Sequence, residues 1–309
     1  MSVNSYENPA DAGSIKLAVI IPLYGNWDDT LDCTKMLAGQ SSMNFHLYLA
    51  DDGSSEPPPP EIDSFEFLTY YRRPHAGFAS TCNAAALRAA DEGFTHILLL
   101  NNDTSFGSDF IQTWIEKVNR FPDAIMGPQI YYTDDPGKLW YSGGSKSILI
   151  PFFRFNKEYN VQSVVDILTG CVLLVPVKTW LALGGFDETY VTYYEDFDFL
   201  LRARDAGVTV YLLIEKELRV WHKVSRTSLM HGRWNREYRM LSSRLLFIRK
   251  RYMGIEMLIC LALTIPHVFV LGCLNFPELP KPARLLRAFK RGFQQIRPTS
   301  INQATQNVS

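Results

Sequence analysis

Apolar positions along the chain gather into short runs separated by amphipathic stretches. KLAVIIPLY (16–24) is rich in β-branched residues, carries Pro22 near its end, and reads as a buried strand. FHLYLA (45–50), FEFLTYY (65–71) and THILLLN (95–101) read the same way. Between them, residues 28–37 and the alanine-rich stretch 77–92, closed by Gly93, predict helices, and residues 108–120 predict a third. EPPPP (56–60) excludes regular structure and marks a surface loop. Strands alternating with helices imply βαβ units and a mostly parallel sheet with helices on both faces. Ligands bind such sheets beyond the carboxyl ends of the strands. The polar residues at those ends are Tyr24, Asp51, Asp52, Asn101, Asn102 and Asp103.

The later pattern is less regular. Residues 138–155 are aromatic around a Gly-Gly pair and suggest a hairpin or flap. Residues 166–180 read as a strand running into a helix, and 196–206 as a helix with Phe199, Leu200 and Ala203 on one face. VTVYLL (208–213) and LRVWH (218–222) predict two more strands. The chain thus divides into a loose arm (1–15), a main domain (16–250, with halves 16–104 and 105–250) and a helical extension (251–309).

Residues 255–274 form an apolar run whose only ionisable groups are Glu256 and His267. About 20 apolar residues span a bilayer. Pro266 lies inside this run, however, and both flanks are basic, with Arg249, Lys250 and Arg251 before it and Lys281 onward after it. That symmetry favours an interfacial or re-entrant segment followed by a basic amphipathic helix, KPARLLRAFKRGF. A helical hairpin packed on the main domain is the alternative.

Composition narrows the setting. A hydrophobic fraction of 47% suits a globular core, and a net charge of −1 gives no reason to expect a nucleic-acid partner. Five widely spaced cysteines without a CxxC suit free thiols in a reducing compartment. The N-terminus shows no secretory pattern, so a cytoplasmic protein is expected, peripheral to the membrane through its extension.

The acidic clusters carry the candidate chemistry. Asp103, at a strand end in NNDT, suits a divalent cation such as Mg²⁺ or Mn²⁺, with Asn101 and Asn102 as outer partners; a simple turn is the alternative. Asp51 in ADDGSS could accept hydrogen bonds from a base or ribose, or could build a type I turn. In YYEDFDF, Glu195, Asp196 and Asp198 crowd three carboxylates into four residues at a predicted helix start, which the helix dipole favours. One could cap the helix; a carboxylate there could equally act as general base on a hydroxyl. The surrounding Tyr193, Tyr194, Phe197 and Phe199 suit the apolar faces of a sugar ring. His222 ends a strand and could be a metal ligand or a structural histidine. Arg226, Arg233, Arg236 and Arg239 could clamp a diphosphate or line a solvated helix face.

The pieces occur in the order AVIIPLY, ADDGSS, AGFASTCNAA, LLLNNDT, TGCVLLVP, GGFDETYVTYYEDFDFLLRARDAG and VWHK, over roughly residues 16–250. That ordered set resembles the family 2 glycosyltransferases of the GT-A fold, in the rhamnosyltransferase-like branch that builds bacterial surface polysaccharides. The resemblance implies a single Rossmann-like sheet and inverting transfer from a nucleotide-diphosphate sugar, dTDP-rhamnose being one candidate. It implies a glycan or lipid-linked glycan acceptor, which fits contact of residues 255–296 with the inner leaflet as expected from the apolar run and basic tail. It places Pro22 and Tyr24 in the nucleotide pocket and Asp51 on the base, with Asp52, Gly77 and Asn102 on the donor side. Asp103 and His222 match the metal-binding positions, Asp196 the catalytic base with Glu195 beside it, and residues 140–144 a segment near the donor sugar. Two positions depart from the family: NND replaces DxD, and His75 stands where an asparagine commonly precedes GF.

Other classes fit less well. A nucleotidyltransferase wants a Gly-rich phosphate loop near the start, and a dehydrogenase wants GxGxxG after the first strand; PLYGNW supplies neither. A catalytically inactive sugar-nucleotide-binding relative is opposed by the presence of Asp103, Glu195 and Asp196 together.

Overall fold

The computed structural model describes residues 15–146, 153–155, 159–190, 192–223 and 233–274. The chain opens with β1 (Leu17–Leu23), α1 (Trp27–Ala38), β2 (Phe45–Asp51), β3 (Leu68–Arg72), α2 (Phe78–Asp91) and β4 (His96–Leu100). Next come β5 (Thr104–Phe106), α3 (Phe110–Arg120), β6 (Ile125–Pro128), β7 (Ile130–Tyr132), β8 (Leu139–Tyr141), β9 (Gly144–Lys146), β10 (Phe153–Phe155) and β11 (Ser163–Val164). The described chain finishes with β12 (Val172–Pro176), α4 (Val177–Leu183), α5 (Glu195–Asp205), β13 (Val210–Leu213), β14 (Val220–His222), α6 (Arg233–Arg251) and α7 (Gly254–Leu274).

Eight strands form the main sheet in the order β11-β13-β6-β12-β4-β1-β2-β3. The expected parallel pairing holds for β1 with β2 and β4, for β2 with β3, and for β6 with β13. The sheet is nevertheless mixed. β12 runs antiparallel to both β4 and β6, and β11 antiparallel to β13. The reversal has a functional result: β12 brings its amino end, not its carboxyl end, to the edge where β1, β2 and β4 finish. Asn101 N–H donates to the Cys171 carbonyl (2.8 Å) at that junction.

Both faces of the sheet are covered, which is why its strands read as continuous apolar runs. Period-two alternation sends Ala18 and Ile20 into one apolar layer, with α2, α4, α5 and the end of α6. It sends Leu17, Val19, Ile21 and Leu23 into the other, with Trp27 of α1 and Phe110 and Trp114 of α3.

A second sheet, β5-β14-β7-β8, sits beyond β4. β5 and β7 are three residues each, too short to carry a readable alternation. Their importance lies in register: His222 pairs with Thr104, so the end of β14 lies beside the NND turn.

Residues 138–155 contain the expected hairpin, with β9 antiparallel to β10. Residues 255–274 are helical within α7. Over its described residues, no helix is long and apolar enough to cross a membrane. α7 packs Met257, Cys260 and Leu261 on the main core and leaves Ile255, Leu258 and Leu263 exposed. Most of the N-terminal arm, Arg226, the side chains of Arg233 and Arg236, and the basic helix expected at 281–293 lie outside the described residues.

Candidate active site

A cavity of about 580 Å³ opens at the edge where β1 and β4 end and β12 begins. Pro22, Tyr24, Asp52, Gly77, Asn102, Asp103, Glu195, Asp196 and His222, all expected on the donor or catalytic side, line this one cleft. Asp51 does not. It is fully buried; one oxygen accepts from the Ser54 N–H and hydroxyl, the other from the Tyr70 hydroxyl. Successive strand residues point to opposite faces, so only one of the two aspartates can reach the cleft. Asp51 therefore builds the loop after β2 and lies outside the cleft lining.

Asp52 is also engaged. Its carboxylate accepts from Ala76 N–H, Gly77 N–H and the Thr81 hydroxyl, tying the start of α2 to the end of β2. His75 Nδ1 lies 2.8 Å from the same group, and its ring meets Tyr24 at 4.6 Å. Gly53 makes this closeness workable: its φ is +85°, and a Cβ there would stand 2.9 Å from the His75 backbone nitrogen. Asn102 donates to the Thr30 hydroxyl of α1, which anchors the NND turn.

Asp103 and His222 face each other with Oδ1 and Nε2 3.0 Å apart. Both side chains are buried, yet Asp103 Oδ1 and His222 Nδ1 have no aligned hydrogen-bond partner. Unmet electron-pair donors in a buried, cleft-lining pair suit a cation. Among the described residues no cluster of three or more metal-ligating side chains exists, so substrate oxygens would have to complete any shell. Trp140 packs edge-on against His222 at 4.5 Å, and the Lys223 N–H donates to the Asp103 carbonyl (3.0 Å).

Across the cleft, α5 begins with Glu195 and Asp196. Asp196 is half-buried; Oδ2 accepts from Gly170 N–H and Oδ1 from Phe197 N–H, each at 2.8 Å. Burial pushes its pKa up to about 6, against the pull of those N–H groups and the Thr169 hydroxyl. Glu195 is buried, its Oε2 lacks a partner, and burial first and the Asp196 charge second push its pKa well above the carboxylate range. The neighbours therefore titrate as a pair. Cys171 lies between the two ends of the cleft: burial raises its thiol first, then the charges of Asp103 and Asp196. The third carboxylate of the cluster has a different task. Asp198 points into the core and accepts from Arg202, which also donates to the Leu183 and Gly185 carbonyls.

The turn before α5 is strained. Tyr193 and Tyr194 have φ of 69° and 71°, a left-handed conformation costing ~1–3 kcal/mol for each such residue. Gly170, Thr169 and Met240 also line the cleft, and sequence reasoning missed them. Only TGC at the mouth of an apolar run hinted at the first two. Arg239, one of four arginines named as diphosphate clamps, is on the wall.

A mixed, doubly covered sheet with carboxylates gathered at one edge defines the GT-A class of nucleotide-sugar folds. Solved structures of that kind superpose on it: Staphylococcus aureus TarS (TM-score 0.57, 14% identity, 92% of this chain and 50% of that one). GalNAc-T7 with UDP, GalNAc and Mn²⁺ gives a TM-score of 0.56 at 12% identity, over 67% of this chain and 43% of that one. The chain belongs to glycosyl transferase family 2, whose pattern matches residues 18–176. Among curated relatives, the N-acetylglucosaminyl-diphospho-decaprenol L-rhamnosyltransferase of Mycobacterium tuberculosis (strain ATCC 25618 / H37Rv) is 29% identical over 136 residues. The match covers 38% of this chain and 44% of the relative, so the chain spans less than half of that protein's length. Glu195, Asp196 and His222 lie C-terminal to the family-matched stretch.

Proposed function

We infer that this protein transfers a sugar from a nucleotide diphosphate to an acceptor hydroxyl, with inversion at the anomeric carbon. One observation carries the reading: a half-buried aspartate with a pKa near 6 shares a cleft with a buried Asp103–His222 pair whose Oδ1 and Nδ1 have no aligned hydrogen-bond partner. A general base works best when its pKa lies near the working pH. Asp196 takes the proton of the acceptor hydroxyl. The hydroxyl oxygen forms the new bond to the anomeric carbon as the bond to the diphosphate oxygen breaks, and that electron pair leaves with the nucleotide. A bound Mn²⁺ or Mg²⁺ supplies charge neutralisation at the leaving diphosphate, and Asp103 and His222 would hold it. Arg239, on the same cleft wall, would add to that neutralisation.

The donor we favour is dTDP-rhamnose, and the acceptor a lipid-linked glycan at the cytoplasmic face of a membrane. Support comes from the L-rhamnosyltransferase relative, whose name specifies a diphospho-decaprenol acceptor. It also comes from the exposed apolar side of α7, where Ile255 and Leu258 are 70% and 57% accessible, next to Met253 in the preceding link at 85%. Six basic residues and no acidic ones follow between 281 and 297. A panel of nucleotide sugars, scored for nucleoside diphosphate release with and without Mn²⁺, tests the reading. Cation-dependent turnover of one or two donors is expected, and no turnover of any donor would overturn it.

A further inference from the structure

Two consecutive tyrosines in the left-handed region will not hold that shape unaided. The structure shows what restrains them. The Tyr194 ring meets Phe247 of α6 at 5.2 Å and Phe197 of α5 at 5.5 Å. The Ser243 hydroxyl, also on α6, donates to the Thr192 carbonyl at 2.7 Å. On the other side of the turn, Asp198 N–H donates to the Tyr194 carbonyl at 2.9 Å, closing the first turn of α5. Phe247 and Ser243 are themselves buried. The same helix reaches the cleft: Arg239 and Met240 are part of its wall. Residues 239, 240, 243 and 247 share one helical face by their spacing.

We propose that α6 is a positioning element for the acid pair: Ser243 and Phe247 hold the left-handed Tyr193–Tyr194 turn in the form that aims Asp196 into the cleft, while Arg239 and Met240 join that aim to the cleft wall. Neither Ser243 nor Phe247 touches the reacting atoms; they act through the turn. The proposal rests on the glycosyl-transfer reading for its effect on turnover, but not for its effect on the turn.

The turn can be loosened from outside the cleft. Phe247→Ala removes the ring that backs Tyr194, and Phe247→Leu keeps an apolar side chain should the alanine variant fold poorly. With dTDP-rhamnose and Mn²⁺ as probes, Phe247→Ala should lower kcat about tenfold while donor affinity by calorimetry changes less than twofold. Hydrogen exchange of residues 192–198 should rise about tenfold in the same variant, with circular dichroism unchanged. Tyr194→Gly provides the control. Glycine adopts the left-handed conformation at no steric cost, so Phe247→Ala added to Tyr194→Gly should change kcat and exchange by less than twofold. Unchanged exchange in the single variant, equal loss of donor affinity and turnover, or simple multiplication of the two substitutions' effects would each overturn the proposal. If wild type consumes no donor while exchange responds as stated, the positioning role stands and the catalytic reading falls.

Discussion

Replacing Asp196 by asparagine separates the cost of a buried charge from its use. The carboxyl has a folded pKa of about 6 against 3.8 for the free group. A carboxyl raised in this way favours the fold while it is protonated. The folded chain therefore binds the extra proton between about pH 4 and 6, and its stability falls as pH rises through that window. At ~1.4 kcal/mol per unit, the ionised group costs about 2–3 kcal/mol by pH 8. Asparagine cannot ionise. It keeps one acceptor for the Gly170 and Phe197 N–H groups and sets an amide against the other, a loss of ~1–3 kcal/mol that is nearly constant with pH. The difference between variant and wild type should consequently move by about 2–3 kcal/mol in favour of asparagine from pH 4 to pH 8. Urea melts at the two values measure it, and running both chains in a Glu195→Gln background removes the coupled proton. Parallel stability curves would refute the reasoning, because they would mean that Asp196 carries no penalty for ionising. The same substitution should cut turnover by ~10²–10⁴, and wild-type kcat/KM should decline as pH falls below about 6.

Three further outcomes are expected. Asp103→Asn should abolish the Mn²⁺-dependent thermal shift produced by dTDP, which in wild type should reach roughly 5 °C at saturating ligand; an equal shift in the variant would remove Asp103 from the metal site. Asp198→Ala should cost about 2–3 kcal/mol in a urea melt, somewhat under the usual loss for a broken buried pair, because Arg202 keeps its two carbonyl partners. Ile255→Glu with Leu258→Glu should weaken binding to vesicles containing anionic lipid at least tenfold in a flotation assay, with melting unchanged; undiminished binding would move membrane contact elsewhere.

The amino-terminal half of the fold was legible because β1, β2 and β4 are buried on both faces and so read as apolar runs. β1, β2, β3 and β4 all contain runs of four or more apolar or β-branched positions. β6 could not be read so. It is only four residues long, contains a glycine and a proline, and owes its place to neighbours on both sides. The direction of β12 was equally hidden, since an apolar run has the same pattern forwards and backwards. Of the site, the carboxylates that line the cleft were visible as acids near strand and helix ends. The division of labour within each acidic cluster was not. Asp51 and Asp52 differ only in which face of β2 they leave, and Asp196 and Asp198 only in which side of α5 they occupy. Gly185 shows the same limit. Its φ is +67° and a Cβ there would collide with the Asn83 side-chain oxygen, which makes it a point where α2 docks, and nothing in the sequence marked it.

The wedge formed by β12 bears on how the molecule comes into being. This strand lies between β4 and β6, and β14 pairs with β5 across more than a hundred residues of chain. Contacts that distant close late, because the entropy of the intervening loop must be lost before they form. Until β14 docks, Asp103 has no histidine beside it, and α5 belongs to the same late segment. A nascent or partly folded chain therefore holds a donor-side floor without the groups that would act on it. In the proposed mechanism, transfer begins only with completion of the fold.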